Sequence, residues 1–248
     1  MTIGMWVFAA GAAWGASVNL QPGDDVAALT AALGPGDTIT FAPGVYELPA
    51  TVTWTGAGTA DAPITLAASG AGVILRGTTS GAVLRVREAS HMVLRGLIIE
   101  GTEARFANAD DDYNGLRVET ASDLLLEDLE IRQVGATALT LTGNTARVTM
   151  RRLHLHDSRE GNGIYAGCND ASCWMQDSLI DGCWIHDLPA AGGDGVEFGN
   201  GNQGNTVRDT VIHDVGGRGV LTRSAEHGPG NTLEGNAIWA AAEGGMRL

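Results

Sequence analysis

Six segments decide the fold. They are Leu94-Arg-Gly-Leu-Ile-Ile-Glu100, Leu126-Glu-Asp-Leu-Glu-Ile-Arg132, Met150-Arg-Arg-Leu-His-Leu-His156, Ile180-Asp-Gly-Cys-Trp-Ile-His186, Val207-Arg-Asp-Thr-Val-Ile-His213 and Leu233-Glu-Gly-Asn-Ala-Ile-Trp239. Their first residues are 32, 24, 30, 27 and 26 positions apart. Each is followed by a turn and a second short strand: Gly115-Leu-Arg-Val118, Ala138-Leu-Thr-Leu141, Gly163-Ile-Tyr-Ala166, Gly195-Val-Glu-Phe198, Gly219-Val-Leu-Thr222 and Gly245-Met-Arg-Leu248. Apolar residues alternate as they do in strands, and Gly, Asn and Asp fill the corners. No unit can bury its apolar side alone, whereas a stack of them shares one core. The pattern predicts an all-β solenoid, a single parallel β-helix with loops of varying length on one side. Leucine-rich repeats and the glycine-rich nonapeptides of calcium-binding β-rolls are excluded by their missing consensus.

Composition agrees with a packed domain. Of 248 residues 44% are hydrophobic and 36 are Gly, with a mean hydropathy of +0.03. No run approaches the ~20 apolar residues of a membrane span. Ile3 to Ala16 is a short apolar stretch with small-residue cleavage options after Ala12 or Gly15. Residues 1–16 therefore read as a degraded signal peptide lacking a basic start, and 17–248 as the solenoid domain. That reading places the protein outside the cell, at its surface or in a periplasm. The net charge is −14, with 29 acids against 15 bases, and every base is Arg. Nucleic acid is excluded as a partner, since no basic patch offsets phosphate repulsion. Cys168 and Cys173 flank a four-residue loop and can close a local disulfide; Cys183 falls in an apolar slot and reads as a buried thiol.

Upstream, Asp24 to Leu33 reads as a short capping helix with an acidic start and a Gly34-Pro35 stop. Asp37–Phe41, Gly44–Leu48 and Pro63–Ala68 read as the first coils. Gly36-Asp-Thr-Ile39, Pro43-Gly-Val-Tyr46 and the repeated Ile-His-Asp followed by Gly-x-Gly-Val resemble pectate-lyase-like right-handed parallel β-helix proteins over residues 20–248. The resemblance implies a right-handed coil and a carbohydrate-active protein, most directly a lyase of acidic polysaccharides. The chain stops at Leu248 in mid-coil without a capping segment, which reads as a C-terminal truncation of a monomeric domain.

Equivalent positions on successive coils stand ~4.7–4.9 Å apart, so distant residues become neighbours. Aligning the second strands gives a corner row of Asn114, Thr137, Asn162, Asp194 and Arg218. A first outward row holds Arg117, Thr140, Tyr165, Glu197, Leu221 and Arg247, and a second ends at Arg223. Tyr165, Asp194, Glu197, Arg218 and Arg223 are thereby expected in one patch. Arg can pair with a uronate carboxylate, Asp194 and Glu197 can hold Ca²⁺, and Tyr165 or a histidine can move protons in a β-elimination. The competing reading of the same residues is an exposed salt-bridged ladder. A further row carries His156-Asp157, His186-Asp187 and His213-Asp214. It reads either as a corner device with stacked imidazoles or as oriented general bases, and a transition metal is a third use; His186 and His213 are the catalytic candidates. Trp184 points outward by parity and can stack on a pyranose, and Arg117 can bind substrate. Asp110-Asp111-Asp112 reads as a solvated loop, and Trp174 lies near the 168–173 loop.

The catalytic motifs that such a fold carries in polygalacturonases and mannuronan epimerases do not occur here. Without Lys, the Lys/Arg pair of related alginate and chondroitin lyases is reduced to Arg218 or Arg223. Two functions follow: a β-eliminating lyase of an acidic polysaccharide, with Ca²⁺ at Asp194 and Glu197, or a non-catalytic cell-surface or glycan-binding module.

Overall fold

The computed structural model describes residues 15–30, 33–102, 113–223 and 229–247. Among them, every pairing between named strands is parallel, and each coil contributes one strand to each of three faces. The first face stacks Leu116–Glu119, Leu139–Thr142, Ile164–Ala166, Val196–Phe198, Arg218–Thr222 and Gly244–Arg247. The second stacks Ser122–Glu127, Thr149–Arg151, Leu179–Asp181, Thr206–Arg208 and Thr232–Glu234. The long strand Leu84–Arg95 passes through both, joining them into one 18-stranded sheet. The third face is a separate 8-stranded sheet from Gly44–Leu48 to Ala237–Ala241. The parallel β-helix expected from the repeat is the architecture observed.

The repeat owes its corners to backbone geometry. Its third residue turns the chain from the second face to the third: Gly96, Asp128, Arg152, Gly182, Asp209 and Gly235 all have φ between 49° and 72°. The residue closing each third-face segment does the same, with Asp157, Asp187 and Asp214 at 52°, 54° and 52°. Asp tolerates this left-handed region better than most residues do.

Inward positions fill one continuous core. Leu116, Leu139, Ile164, Val196 and Val220 line up at 0% exposure. The glycine that opens each first-face strand is matched to this core. A Cβ on Gly163 would lie 2.5 Å from Ile185 Cγ2 and 2.6 Å from the Gly195 carbonyl oxygen. Gly115, Gly195 and Gly219 are likewise opposed by the Cγ2 of Ile131, Ile212 and Ile238. The exception confirms the cause: Ala138 occupies this position where the inward residue of the same coil is Leu155, which has no branch at Cβ.

The N-terminal cap differs from the expected helix over 24–33. Only a 3₁₀ turn forms, Val26–Thr30, with Asp25 Oδ1 accepting the Ala27 and Ala28 amides at 3.0 and 3.3 Å. Leu33 pairs with the sheet, its amide donating to Thr55 O at 3.1 Å, and residues 31–32 of the expected helix lie outside the described residues. Val26 and Leu33 are buried at the end of the core. No helix among the described residues is long and apolar enough to cross a membrane.

Candidate functional site

On the first face the expected registers are met. Thr140 pairs with Arg117 and Tyr165, Tyr165 with Glu197, Glu197 with Leu221, and Leu221 with Arg247. The corner row forms a ladder in which each side chain accepts the amide of the next coil. Asn114 Oδ1 takes the Thr137 N–H at 3.1 Å and Thr137 Oγ1 the Asn162 N–H at 3.3 Å. Asn162 Oδ1 takes the Asp194 N–H at 2.7 Å and Asp194 Oδ1 the Arg218 N–H at 2.5 Å. Asp194 is almost fully buried, and that burial, with Glu197 nearby, raises its carboxyl above the usual range.

Glu197 is the hub of the patch. Asn162 Nδ2 donates to its Oε2 at 2.8 Å, while Arg223 Nε and Nη2 donate to Oε1 at 3.0 and 2.8 Å. Burial raises the Tyr165 phenol, reinforced by the Glu197 charge; an Asn169 backbone hydrogen bond and Arg223 act the other way. Asn169 belongs to the loop closed by a Cys168–Cys173 disulfide, as the spacing anticipated, and Asn200 Nδ2 pins that loop through the Asn169 carbonyl. Cys183 is a buried free thiol, pushed up to about 11 by desolvation. Arg218 Nη2 pairs with Glu243 at 2.8 Å, and Arg117 with Glu119 at 2.6 Å. A Ca²⁺ at Asp194 and Glu197 would have to displace Asn162, Arg223 and the Arg218 amide, so these two side chains present no open cluster of oxygens, which is what calcium requires.

The histidines lie elsewhere. His156, His186, His213 and Trp239 stand in register on the third face. Ring centroids are 5.1, 5.0 and 4.6 Å apart along that row, and the planes lie within 5° of parallel. The Asp partners do not cap turn amides, as a corner device would require; Asp157, Asp187 and Asp214 each bind Nδ1 of the preceding histidine, at 2.9, 2.8 and 2.6 Å. An adjacent outward row carries Glu130, His154 and Trp184. Trp184 stacks on His154 at 4.4 Å, and its indole N–H donates to His213 Nε2 at 2.9 Å. Burial, with the neighbouring His156 and His186, lowers His154 to about 4.

The sequence-predicted residues thus divide. Tyr165, Asp194, Glu197, Arg218 and Arg223 come together, with Arg117 further along the same row. His186, His213 and Trp184 occupy another sheet and cannot share chemistry with Tyr165. His154 and Glu130 were not anticipated; the legible signal was Leu153-His-Leu-His156, whose two histidines fall on one strand face by parity. Trp174 borders a cleft of ≈ 390 Å³ with Ser90, Thr120, Ser122 and Asn144. Asp110-Asp111-Asp112 and residues 1–14 of the expected signal peptide fall outside the described residues.

A charged and aromatic surface laid on stacked parallel strands defines a β-solenoid with side-chain rows as its sites. The chain belongs to the right-handed β-helix region family, whose model matches residues 71–248. Comparison with curated protein sequences gives no match. Among solved structures, an alginate lyase from Paenibacillus sp. str. FPU-7 superposes with a TM-score of 0.70 at 18% identity, covering 90% of this chain and 76% of its own. Pectate lyase Pel9A gives 0.58 at 13% identity, with 94% and 78% covered. The catalytic domain of an α-1,3-glucanase gives 0.54 at 9%, with 81% and 41% covered. At these identities the likeness is one of fold.

Proposed function

We propose that this chain is an exported, carbohydrate-active protein whose first face cleaves an acidic, uronate-containing polysaccharide by β-elimination. The observation that carries the reading is the placement of Tyr165 beside Glu197, with Arg223 clamped on Glu197 and still half-exposed. Two structures of like fold are polysaccharide lyases, which supports the substrate class. The local disulfide supports export, since such bonds persist in oxidising compartments.

In this reaction the proton at C5 of a uronate leaves, the C4–O bond breaks and a C4=C5 double bond forms. The Arg223 guanidinium neutralises the uronate carboxylate, which makes the C5 proton removable. Glu197 Oε2, held by Asn162 alone, takes that proton. The Tyr165 phenol, kept protonated by burial, gives its proton to the departing oxygen. Arg117, two coils along the Tyr165 row, and Arg218, in the corner row, are further carboxylate contacts.

A second reading draws on the donors already seated on Glu197 and Asp194, with Arg223 and Asn162 on the first and the Arg218 amide on the second: the face binds a glycan without cleaving it. Ultraviolet absorbance of the conjugated product separates the two. The protein is assayed on alginate, pectate, chondroitin and hyaluronan, with and without Ca²⁺. A rise on one polymer, reduced about 10²–10⁴-fold in Tyr165→Phe, is the expected result. Glycan binding with no absorbance change on any polymer overturns the lyase and establishes the binding module.

A further inference from the structure

We infer that the third face binds one divalent transition-metal ion of the Zn²⁺ class through His154, His156 and His186, with Glu130 as a fourth ligand. This site is independent of the Tyr165 face and of the proposed lyase reaction. The three imidazoles place potential ligand nitrogens all within 4.8 Å of one another, and His154 Nε2 is already 2.8 Å from His186 Nε2. Glu130 Oε1 lies 3.4 Å from His156 Nε2. Two adjacent coils and two outward rows therefore bring the three nitrogens together, and Glu130, on the preceding coil, reaches the cluster beside His156.

Proton placement favours a cation there. An ionised carboxylate only accepts, so Asp157 and Asp187 hold the hydrogens of His156 and His186 on Nδ1. Nε2 of each ring is then an acceptor: His156 Nε2 is bare, and His186 Nε2 takes the His154 Nε2–H at 2.8 Å, a contact that a metal ion replaces once His154 carries its proton on Nδ1. Carboxylate-backed imidazoles of this kind are the usual support of a histidine metal ligand, because the carboxylate fixes the tautomer and raises basicity. His156 Nε2 and Glu130 Oε1 are then two acceptors facing each other, a contact that a bridging cation makes favourable. His213 lies outside the cluster, and its Nε2 accepts the Trp184 indole N–H, which, unlike the His154 proton, has no second ring nitrogen to move to.

Zinc–nitrogen bonds of ~2.0–2.1 Å in a tetrahedral shell require the His154–His186 pair, at 2.8 Å, to open and His156 to close in. His154 and His156 are partly exposed, and binding would turn them out of their stacks on Trp184 and His186. Arg132 is the nearby cation that competes for Glu130, at 2.5 Å, but it is also anchored on Glu100 through Nε at 2.7 Å and Nη2 at 2.6 Å. Glu130 can therefore turn to a metal without stranding Arg132. A set of three imidazoles and one carboxylate selects Zn²⁺, Cu²⁺ or Ni²⁺ over Ca²⁺ and Mg²⁺, which prefer all-oxygen shells.

The test uses the full chain without a histidine tag, stripped with EDTA, then titrated calorimetrically with Zn²⁺ against a competing chelator. One Zn²⁺ per chain at micromolar Kd or tighter is expected, with a rise in Tm and d–d absorption of a four-coordinate site on Co²⁺ substitution. His154→Phe and His186→Gln should each weaken binding by more than the ~10–100-fold typical of lost outer-shell support, while His213→Phe changes it only a few-fold. Millimolar or weaker binding by protein with β-rich circular dichroism overturns the site. So does undiminished binding in the His154→Phe/His186→Gln double variant.

Discussion

The second and third faces of this solenoid are built on the same register yet carry opposite kinds of surface. On the second, Arg95, Glu127, Arg151, Asp181, Arg208 and Glu234 stand one above another in strict alternation of sign. Glu127, nearly buried, is gripped by Arg95 at 2.6 Å, by Arg152 at 2.8 Å and by Arg151. From Arg95 to Arg208 these charges are consumed by the coil above or below. The third face begins in the same way, with Glu47, Arg76, Glu100 and Arg132 linked in sequence. At His156 the alternation stops and stacked imidazoles take over. A charge ladder satisfies itself and leaves little for a ligand, whereas an imidazole stack backed by carboxylates leaves lone pairs unspent.

The contrast can be broken most forcefully at Glu127. Glu127→Gln leaves three guanidiniums around a neutral amide and should cost about 3 kcal/mol in denaturant unfolding; a loss under ~1 kcal/mol would show that the ladder is ornamental. The interior beneath both faces is tested by Gly163→Ala, which overpacks against Ile185 at a cost of about 2 kcal/mol. Ile185→Leu in the same chain should recover most of that loss, because Leu155 already tolerates Ala138; an additive double variant refutes the pairing of the two rows. Acid sharpens the comparison further. Burial would raise Glu127, but the Arg151, Arg152 and Arg95 guanidiniums hold it down to about 2, and Arg147 holds Asp123 at about 2. Both carboxyls are depressed in the folded state, so their contribution is complete above the unfolded values of ~3.9–4.3 and is lost as pH falls toward 2. Thermal melts should show this loss between about pH 4.5 and 2, absent its Glu127 part in Glu127→Gln and unchanged in His213→Phe. The smallest effect belongs to Arg208→Ala, whose pairing with Asp181 is solvent-screened, so its denaturant midpoint should stay close to that of the parent; a shift as large as that of Glu127→Gln would show that the exposed end of the ladder matters as much as its buried hub.

The candidate sites were legible to different depths. The outward row through Arg117, Tyr165, Glu197 and Arg247 followed from parity and repeat length alone, because a period of two along a strand leaves no freedom once the core residues are known. The roles within the row were not legible. Asp194 reads as a free carboxylate in the chain, but the structure uses it to accept the Arg218 amide. His186 and His213 were favoured because each lies on a coil that carries a member of the Tyr165 patch; the left-handed turns between faces carry them to another sheet. Asp157, Asp187 and Asp214 looked like turn caps, yet their carboxylates point back to their own histidines.

What the chain determines by itself is the solenoid, its coil boundaries and the parity of every strand, since these depend on alternation, corner residues with positive φ, and the Gly–Ile complement repeated along the sequence. What only the tertiary structure decides is which side chains bond one another within and between those rows. Loops of unequal length between coils hide which donors reach which acceptors, and a side chain such as Glu197 has no character until Asn162, Arg223 and Tyr165 are laid around it. Hydrogen bonds and lone pairs are properties of neighbours, and in this fold the neighbours are a coil apart.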